Sequence, residues 1–308
     1  EVILKAWTAD EPFSHRGTYW AFDQIGVELI GSTLEWNKIA YRYVADMGGR
    51  GESTVVNYGD RVPTLDAAFV NATFGQGCEL DDVGFAAGGH PSAATANLSD
   101  AEARKLFDKV VRGAATSAEA ELFRAQVLTE MAAMSLDDGL VMQIHPGCFR
   151  NHNHGLFEGF GRDKGADIPL RTDYVHALKP LLDRFGNEPR LTLILFTLDE
   201  SAYARELAPL AGHYPSLFLG PAWWFHDAPE GMWRFREQTL ASGGFYNTVG
   251  FNDDTRAFLS IPARHDVARR IDCAFLAKLV AEHRIDEDEA AEVVVDLAYR
   301  LPKRAYKL

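Results

Sequence analysis

The sequence predicts an α/β fold with a parallel sheet, in the form of a partial (β/α)8 barrel of about four carboxyl-terminal units. From Gly139 onward, short apolar runs alternate with amphipathic helical patterns, and this alternation is typical of a parallel sheet. Polar or aromatic clusters follow the runs, and barrels keep their active sites at the carboxyl ends of such strands. The four apolar runs span residues 140–144, 191–198, 217–220 and 245–251.

The amino-terminal third follows a different pattern. Residues 1–97 are rich in glycine, aromatic residues and short turns, and they show no continuous strand–helix alternation. We therefore predict an irregular region over residues 1–97 and a half-barrel with leading helices over residues 98–308. Because a half-barrel exposes two strand edges, we expect residues 1–97 or a second copy in a homo-oligomer to cover them, with an unstable half-barrel as the alternative.

Capping residues mark the helices of the second region. Ser99 and Glu102 have capping-box spacing and predict a helix to about Val111, and Thr116 and Glu119 predict the next, to about Met134. Later helices are predicted from Thr172 or Asp173 to Gly186, from Pro229 to near Gly243, from Arg264 to His283, and from Asp286 onward.

The composition limits the functional classes. The 308 residues carry a formal net charge of −13, which argues against nucleic acid and anionic membranes as partners. No apolar stretch is long enough to cross a bilayer. The three widely spaced cysteines predict a reducing, cytoplasmic setting without disulfides. Because the chain begins at Glu1 without Met, we also expect that it is a fragment.

His145 and Arg150 are the first candidate site residues. His145 ends an apolar run, and the Pro146-Gly147 turn after it favours a ring presented at the barrel mouth, where an imidazole can bind a metal, polarise a carbonyl or move a proton. The alternative is a histidine that is only hydrogen-bonded under a loop. Arg150 suits bidentate capture of a carboxylate, with a solvated loop arginine as its alternative. A metal role for the His152/His154 pair is disfavoured, since it lies in a polar loop rather than a strand.

Aromatic residues follow the third run. Trp223 and Trp224 precede His226 and Asp227, and aromatic walls beside polar groups suit a ligand of sugar size. Ordinary core packing is the alternative, and we expect it for one of the two indoles.

Asp253, Asp254 and Arg256 follow the fourth run. A carboxylate here can ligate a metal or act as a general base, and Arg256 can stabilise developing negative charge. Helix capping is the alternative for the adjacent aspartates, but their position favours function for at least one. For Arg264-His265-Asp266, at the start of the next helix, we predict capping and surface pairing, with closure of the site from outside as the alternative.

Three blocks of sequence resemble one known family. They read Val141-Met-Gln-Ile-His145-Pro-Gly-Cys-Phe-Arg150-Asn-His-Asn153, Gly220-Pro-Ala-Trp-Trp-Phe-His-Asp227, and Val249-Gly-Phe-Asn-Asp-Asp254-Thr-Arg256-Ala-Phe-Leu-Ser260. In this order they resemble motifs of the uronate (glucuronate) isomerases of the amidohydrolase superfamily, over about residues 86–308.

The resemblance implies a distorted (β/α)8 barrel that interconverts D-glucuronate or D-galacturonate with the keto-uronate through an enediol. It implies a divalent metal, expected to be zinc. The implied catalytic residues are Asp254, linked to the metal and moving the proton, together with His145 and Arg256. The implied substrate-binding residues are Arg150, Asn153, Trp223 and Trp224.

The amino-terminal third departs from the family pattern. The family's first strand carries a His-x-His metal pair, whereas residues 1–97 contain only His15 and His90. Residues 23–82 instead resemble a fragment of the MmgE/PrpD (2-methylcitrate dehydratase-like) family, in Arg50–Pro63 and Ala68–Gly77. Two alternatives to the isomerase therefore stay open: a non-catalytic truncated or chimeric remnant, and a lyase of the dehydratase type.

Overall fold

The computed structural model describes part of the amino-terminal third and nearly all of the remaining chain. The described residues are 13–16, 21–25, 87–88, 92–161, 164, 167–223, 226–253 and 258–308. The strands, in chain order, are β1 (Phe13–Arg16), β2 (Ala21–Ile25), β3 (Ala87–Gly88), β4 (Met142–His145), β5 (Cys148–Phe149), β6 (Ile168–Pro169), β7 (Leu193–Leu195) and β8 (Leu217–Leu219). Most of the predicted irregular region lies outside the described residues, and the boundary at residue 97 stays a prediction.

A parallel sheet is the centre of the fold. Its strand order, β3-β4-β7-β8, follows the chain, and a parallel bridge from Leu219 to Thr248 adds a fifth position. Ile144 pairs with Leu195, which pairs with Leu219, so the carboxyl ends of these three strands lie at one edge. The α/β class with a parallel sheet is therefore confirmed.

Helices connect and surround the sheet strands. They are α1 (Asp100–Val111), α2 (Ser117–Asp138), α3 (His154–Phe160), α4 (Tyr174–Ala177), α5 (Lys179–Phe185), α6 (Ala208–His213), α7 (Pro229–Leu240), α8 (Ile261–Ala281), α9 (Glu287–Val295) and α10 (Leu301–Ala305). Both predicted capping boxes are present, at Ser99 and Thr116, and Asp286 forms a third. Each satisfies amide groups that the first helical turn leaves without partners.

The two faces of the sheet bury different layers. Alternate residues of each strand point to one face, where they join a large apolar core under the helices. That layer contains Met142, Ile144, Leu193, Leu195, Leu217 and Leu219. The other face carries Ile194, Phe196 and Phe218, which pack with Trp223, Val249 and Ala305.

The carboxyl-terminal helix α10 closes the amino end of this second face. Ala305 and Tyr306 belong to its apolar cluster, and the Tyr306 hydroxyl donates a hydrogen bond of 2.8 Å to Gln143 Oε1 in β4. The opposite, carboxyl end of the same face is where the candidate site lies.

The prediction that residues 245–251 form a fourth strand is wrong. Thr248 donates from its amide to Phe245 O at 3.1 Å and from Oγ1 to the same oxygen at 2.7 Å. Asn247 Nδ2 donates to Gly243 O at 2.8 Å. Because these short-range bonds form a turn, the segment contributes only one bridge to the sheet.

Among the described residues, no helix is long and apolar enough to cross a membrane.

Candidate active site

The candidate site lies where the parallel strands end. His145 is the last residue of β4, Phe196 directly follows β7, and Trp223 follows β8 by four residues. Asp253 comes five residues after the Thr248 bridge. Consecutive parallel strands thus bring side chains from separate parts of the sequence to one edge of the sheet.

His145 is enclosed by aromatic rings. Its ring stacks on Phe196 with centroids 4.2 Å apart and lies edge-on to Trp223 at 4.6 Å. Only 4% of the residue is exposed, and this burial lowers the imidazole pKa to about 3. The ring is therefore neutral at physiological pH, which suits hydrogen bonding to a substrate better than binding of an anion.

One nitrogen of this ring has no partner. His145 Nδ1 is buried and makes no hydrogen bond within the described part of the structure. Buried polar atoms are nearly always hydrogen-bonded, so each exception needs a physical explanation. A polar group of a bound ligand would supply the missing partner.

Gly220 makes room for the aromatic cluster. A Cβ atom at this position would lie 2.4 Å from Phe196 Cε1 and 2.5 Å from Cδ1, far inside van der Waals contact. The absence of a side chain at the end of β8 therefore allows Phe196 to stack on His145.

Arg264 joins two of the loops at the site. Its Nη2 lies 2.6 Å from Asp227 Oδ2, in the loop after β8, and its Nε lies 2.8 Å from Asp253 Oδ1, in the segment after the Thr248 bridge. The Asp253 side chain is only 2% exposed. Arg264 therefore forms ion pairs, as predicted, but its partners are two loop carboxylates beside the site and it caps no described helix.

A second set of polar contacts joins the loops after β7 and β8. Glu200 accepts hydrogen bonds from Arg234 Nε at 2.6 Å and Nη2 at 3.2 Å, and His226 Nδ1 lies 3.5 Å from the same carboxylate. His226 Nε2 lies 2.7 Å from Leu198 O. These contacts connect His226, in the loop after β8, to the loop after β7.

Asp199 has a structural role. It accepts hydrogen bonds from Thr172 N at 3.1 Å, Ser201 N at 3.1 Å and Ser201 Oγ at 2.6 Å. The Tyr174 hydroxyl is hydrogen-bonded to Thr197 Oγ1 nearby. This buried network fixes the turn after β7.

Arg150 and Asn153 lie in the loop after β4, farther from the sheet. Arg150 Nε is 3.9 Å from Asp167 Oδ2, so the guanidinium faces a carboxylate. Burial, aided by the Asp167 charge, raises the pKa of the neighbouring Cys148 thiol to about 12, which keeps it protonated. Asn153 caps α3, since its side chain accepts from Leu156 N at 3.2 Å. The exposed His152 and His154 flank this cap.

Three of the predicted site residues, Trp224, Asp254 and Arg256, lie outside the described residues. Their neighbours Trp223 and Asp253 are described, and both are at the site edge. Phe196 is a residue that sequence reasoning missed, because an inward-facing residue inside a uniformly apolar run carries no distinguishing signal.

A metal centre is not formed by the described residues alone. Within residues that the structure places, no three His, Cys, Asp or Glu side chains are grouped so that they could hold a metal ion. The described residues therefore contain no complete ligand set for the divalent metal that the resemblance implies.

Comparisons with known proteins agree on one family. The family model described as glucuronate isomerase matches residues 34–306. The uronate isomerase of Xanthomonas campestris pv. campestris (strain B100) is 86% identical over 220 residues, covering 71% of this chain and 47% of that protein. The uronate isomerase of Phenylobacterium zucineum (strain HLK1) is 78% identical over 220 residues, with 71% and 46% covered.

Solved structures give the same result. A glucuronate isomerase from Caulobacter crescentus has 61% identity and a TM-score of 0.73, covering 89% of this chain and 55% of that one. A uronate isomerase from Thermotoga maritima has 26% identity and a TM-score of 0.65, covering 71% and 48%.

The chain spans about half the length of the curated relatives it matches. The family match also begins well before residue 86, where we had placed the start of the resemblance, and it takes in residues 34–82. The likeness of residues 23–82 to MmgE/PrpD is therefore unsupported.

Proposed function

This chain belongs to the glucuronate isomerase family, and we propose that it interconverts the aldose and ketose forms of a sugar acid, D-glucuronate or D-galacturonate. The observation that carries the proposal is His145, whose neutral and buried ring has an unpartnered Nδ1 at the carboxyl end of the sheet. A polyhydroxy acid offers the hydroxyl and carbonyl groups that would pair with such a nitrogen, and Trp223 offers an apolar wall for a sugar face.

The fold that we propose for this function is part of a (β/α)8 barrel. The sheet has five parallel positions in chain order, and its candidate site is at the carboxyl ends, as in complete barrels. On the sheet face that carries the site, an apolar cluster packs against the strands. The polar side chains of the candidate site follow the carboxyl ends of the same strands, next to this cluster.

The proposed chemistry is a proton transfer between neighbouring carbons. The Asp254 carboxylate takes the proton from C2 of the aldose, next to the C1 carbonyl, and the electron pair forms an enediolate. The Asp254 carboxyl, whose proton exchanges with solvent, then protonates C1, and the hydroxyl proton on O2 moves to O1, so that substrate and product remain isomers. Arg256 stabilises the enediolate oxygen by its positive charge.

Substrate orientation is assigned to the residues on the other side of the site. His145 hydrogen-bonds the carbonyl or hydroxyl end of the sugar, and Arg150 binds the carboxylate, for which a guanidinium fork is well shaped. Trp223 and Trp224 line the sugar, and Asn153 contributes a polar contact. Asp167, 3.9 Å from Arg150, holds that guanidinium in the loop until a substrate carboxylate arrives.

A divalent metal, with zinc as the first choice and Asp254 as a ligand, belongs to the proposal on family grounds. The described side chains supply no group of three ligands. A homo-oligomer that covers the sheet edges also remains a proposal.

The test is turnover of D-glucuronate and D-galacturonate by the purified chain, followed by NMR detection of the keto-uronate, with and without added zinc or manganese. We expect turnover that Asp254→Asn abolishes and that Asp266→Asn leaves intact, because Asp266 is half-exposed and pairs with Arg270 on the surface of α8. A folded wild-type chain without turnover under any metal condition would contradict the proposal.

A further inference from the structure

The two ion pairs of Arg264 connect a buried carboxylate to the surface of the site. The Asp253 side chain is 2% exposed, and neither of its carboxylate oxygens accepts an aligned hydrogen bond within the described residues. A buried carboxylate without hydrogen bonds depends on a nearby positive charge. Arg264 supplies that charge at 2.8 Å.

The second pair of the same guanidinium fixes its direction. Nη2 contacts Asp227 at 2.6 Å while Nε contacts Asp253, so the planar group spans two loops that follow neighbouring positions of the sheet. Arg264 lies in the first turn of the 21-residue helix α8, which packs against α7, so the arginine extends from a rigid element. A lysine could not form both contacts with the same fork geometry.

The position of Asp253 in the chain gives this arrangement its consequence. Asp253 directly precedes Asp254, the residue proposed to move the proton. Asp227 follows Trp223 by four residues, in the loop proposed to line the sugar. One guanidinium therefore pairs with the residue just before the proposed proton-transfer residue and with a residue of the loop proposed to line the sugar.

We propose that Arg264 is a positioning residue for the isomerisation, acting through Asp253 on Asp254. This inference rests on the proposed function. In this proposal the arginine acts on Asp253 and not on the substrate. It holds the Asp253 carboxylate in place, and misplacement of a catalytic group by about 1 Å can cost about 100-fold in rate.

The test compares Arg264→Gln and Arg264→Lys with Arg270→Gln. Arg270 lies on the same helix and makes an exposed pair with Asp266 at 2.7 Å, so its substitution controls for loss of one positive charge on α8. We expect Arg264→Gln to lower kcat about 100-fold with less than about a threefold change in KM, since Arg150 is untouched. Arg264→Lys should recover part of the loss, and Arg270→Gln should match the wild type.

A double substitution separates positioning from general damage to the fold. If Arg264 acts through Asp253, then Arg264→Gln combined with Asp253→Asn should be no slower than Asp253→Asn alone. Additive losses in the double variant, or a kcat for Arg264→Gln equal to that of Arg270→Gln, would overturn the inference.

The outcomes for the inference and for the proposed function are distinguishable. Wild-type protein without turnover contradicts the proposed function itself, whereas an active wild type with unaffected Arg264 variants contradicts only the positioning role. If Arg264→Gln fails to fold, the charge-retaining Arg264→Lys decides: a lowered kcat at an unchanged melting temperature supports the role, and wild-type kcat overturns it.

Discussion

Replacement of Gly220 by alanine should disturb the aromatic cluster at the end of β8. The added Cβ would lie 2.4, 2.5 and 2.7 Å from three carbon atoms of the Phe196 ring. Carbon atoms in ordinary contact are about 3.5–4.0 Å apart, so the ring would have to move by roughly 1 Å. Phe196 has little space for this, because it is only 2% exposed and stacks on His145.

The expected cost of Gly220→Ala is that of an overpacked core, about 1–3 kcal/mol in the free energy of unfolding. Urea unfolding followed by tryptophan fluorescence measures it, and Trp223, 6.2 Å from Phe196, should also report the displaced ring through its emission. Combining Gly220→Ala with Phe196→Leu should recover part of the loss, since the smaller side chain leaves room for the new methyl group.

Gly159→Ala is the matched control. Gly159 lies in α3, and a Cβ there would have no heavy atom within 4 Å. We expect it to be neutral or to stabilise by about 0.5–1 kcal/mol, as alanine is the better helix former. An unfolding midpoint for Gly220→Ala equal to that of the wild type would refute the reasoning, because it would mean that Phe196 does not occupy this space.

Three further predictions concern buried polar groups. Arg236→Gln should lower the free energy of unfolding by about 3–5 kcal/mol in urea titrations, because Arg236 and Asp272 form a buried pair at 2.7 and 3.0 Å whose carboxylate would lose its partner; a loss below 1 kcal/mol would contradict this. The His145 pKa is about 3 in the folded chain, below the ordinary value of 6.5. As pH falls, the unfolded chain therefore binds a proton at this histidine before the folded chain does. The free energy of unfolding then decreases as pH falls from 6.5 toward 3. Between pH 7 and pH 5 the loss should be about 2 kcal/mol, and a pH slope unchanged in His145→Gln would argue against it. Tyr174→Phe should cost about 1 kcal/mol by removing the hydrogen bond to Thr197, measured as a lowered midpoint with unchanged slope; an unchanged midpoint would contradict it.

Local signals made much of the fold predictable. The helices α1 and α2 begin where Ser99 and Thr116 predicted them, because a capping box is encoded within four consecutive residues. The strands β4, β7 and β8 were also predicted from their apolar runs, since strands buried on both faces are continuously apolar. Other elements form only through contacts between residues that are distant in sequence. Ala87–Gly88, for example, pairs with β4 although its sequence carries no strand signal.

The candidate site was predictable only in part, because some of its contacts join residues that are distant in sequence. His145 and Trp223 end or follow recognisable apolar runs, so their position pointed to the sheet edge. The partners of Arg264 were not predictable, because Asp227 and Asp253 are distant from it in sequence and only the fold brings them together. The packing of Phe196 against Gly220 is invisible in sequence for the same reason.

Proton abstraction at C2 is tested most directly by solvent exchange, since deuterium enters the sugar even when little ketose accumulates. The purified chain, with zinc or manganese present, is incubated with D-glucuronate in D2O, and the C2 proton signal of the aldose is followed by NMR. We predict that this signal decays with the wild-type chain and persists with Asp254→Asn. Retention of the C2 proton with a folded wild-type chain, at the same level as with Asp254→Asn, would contradict the assignment of this site to isomerisation of a sugar acid.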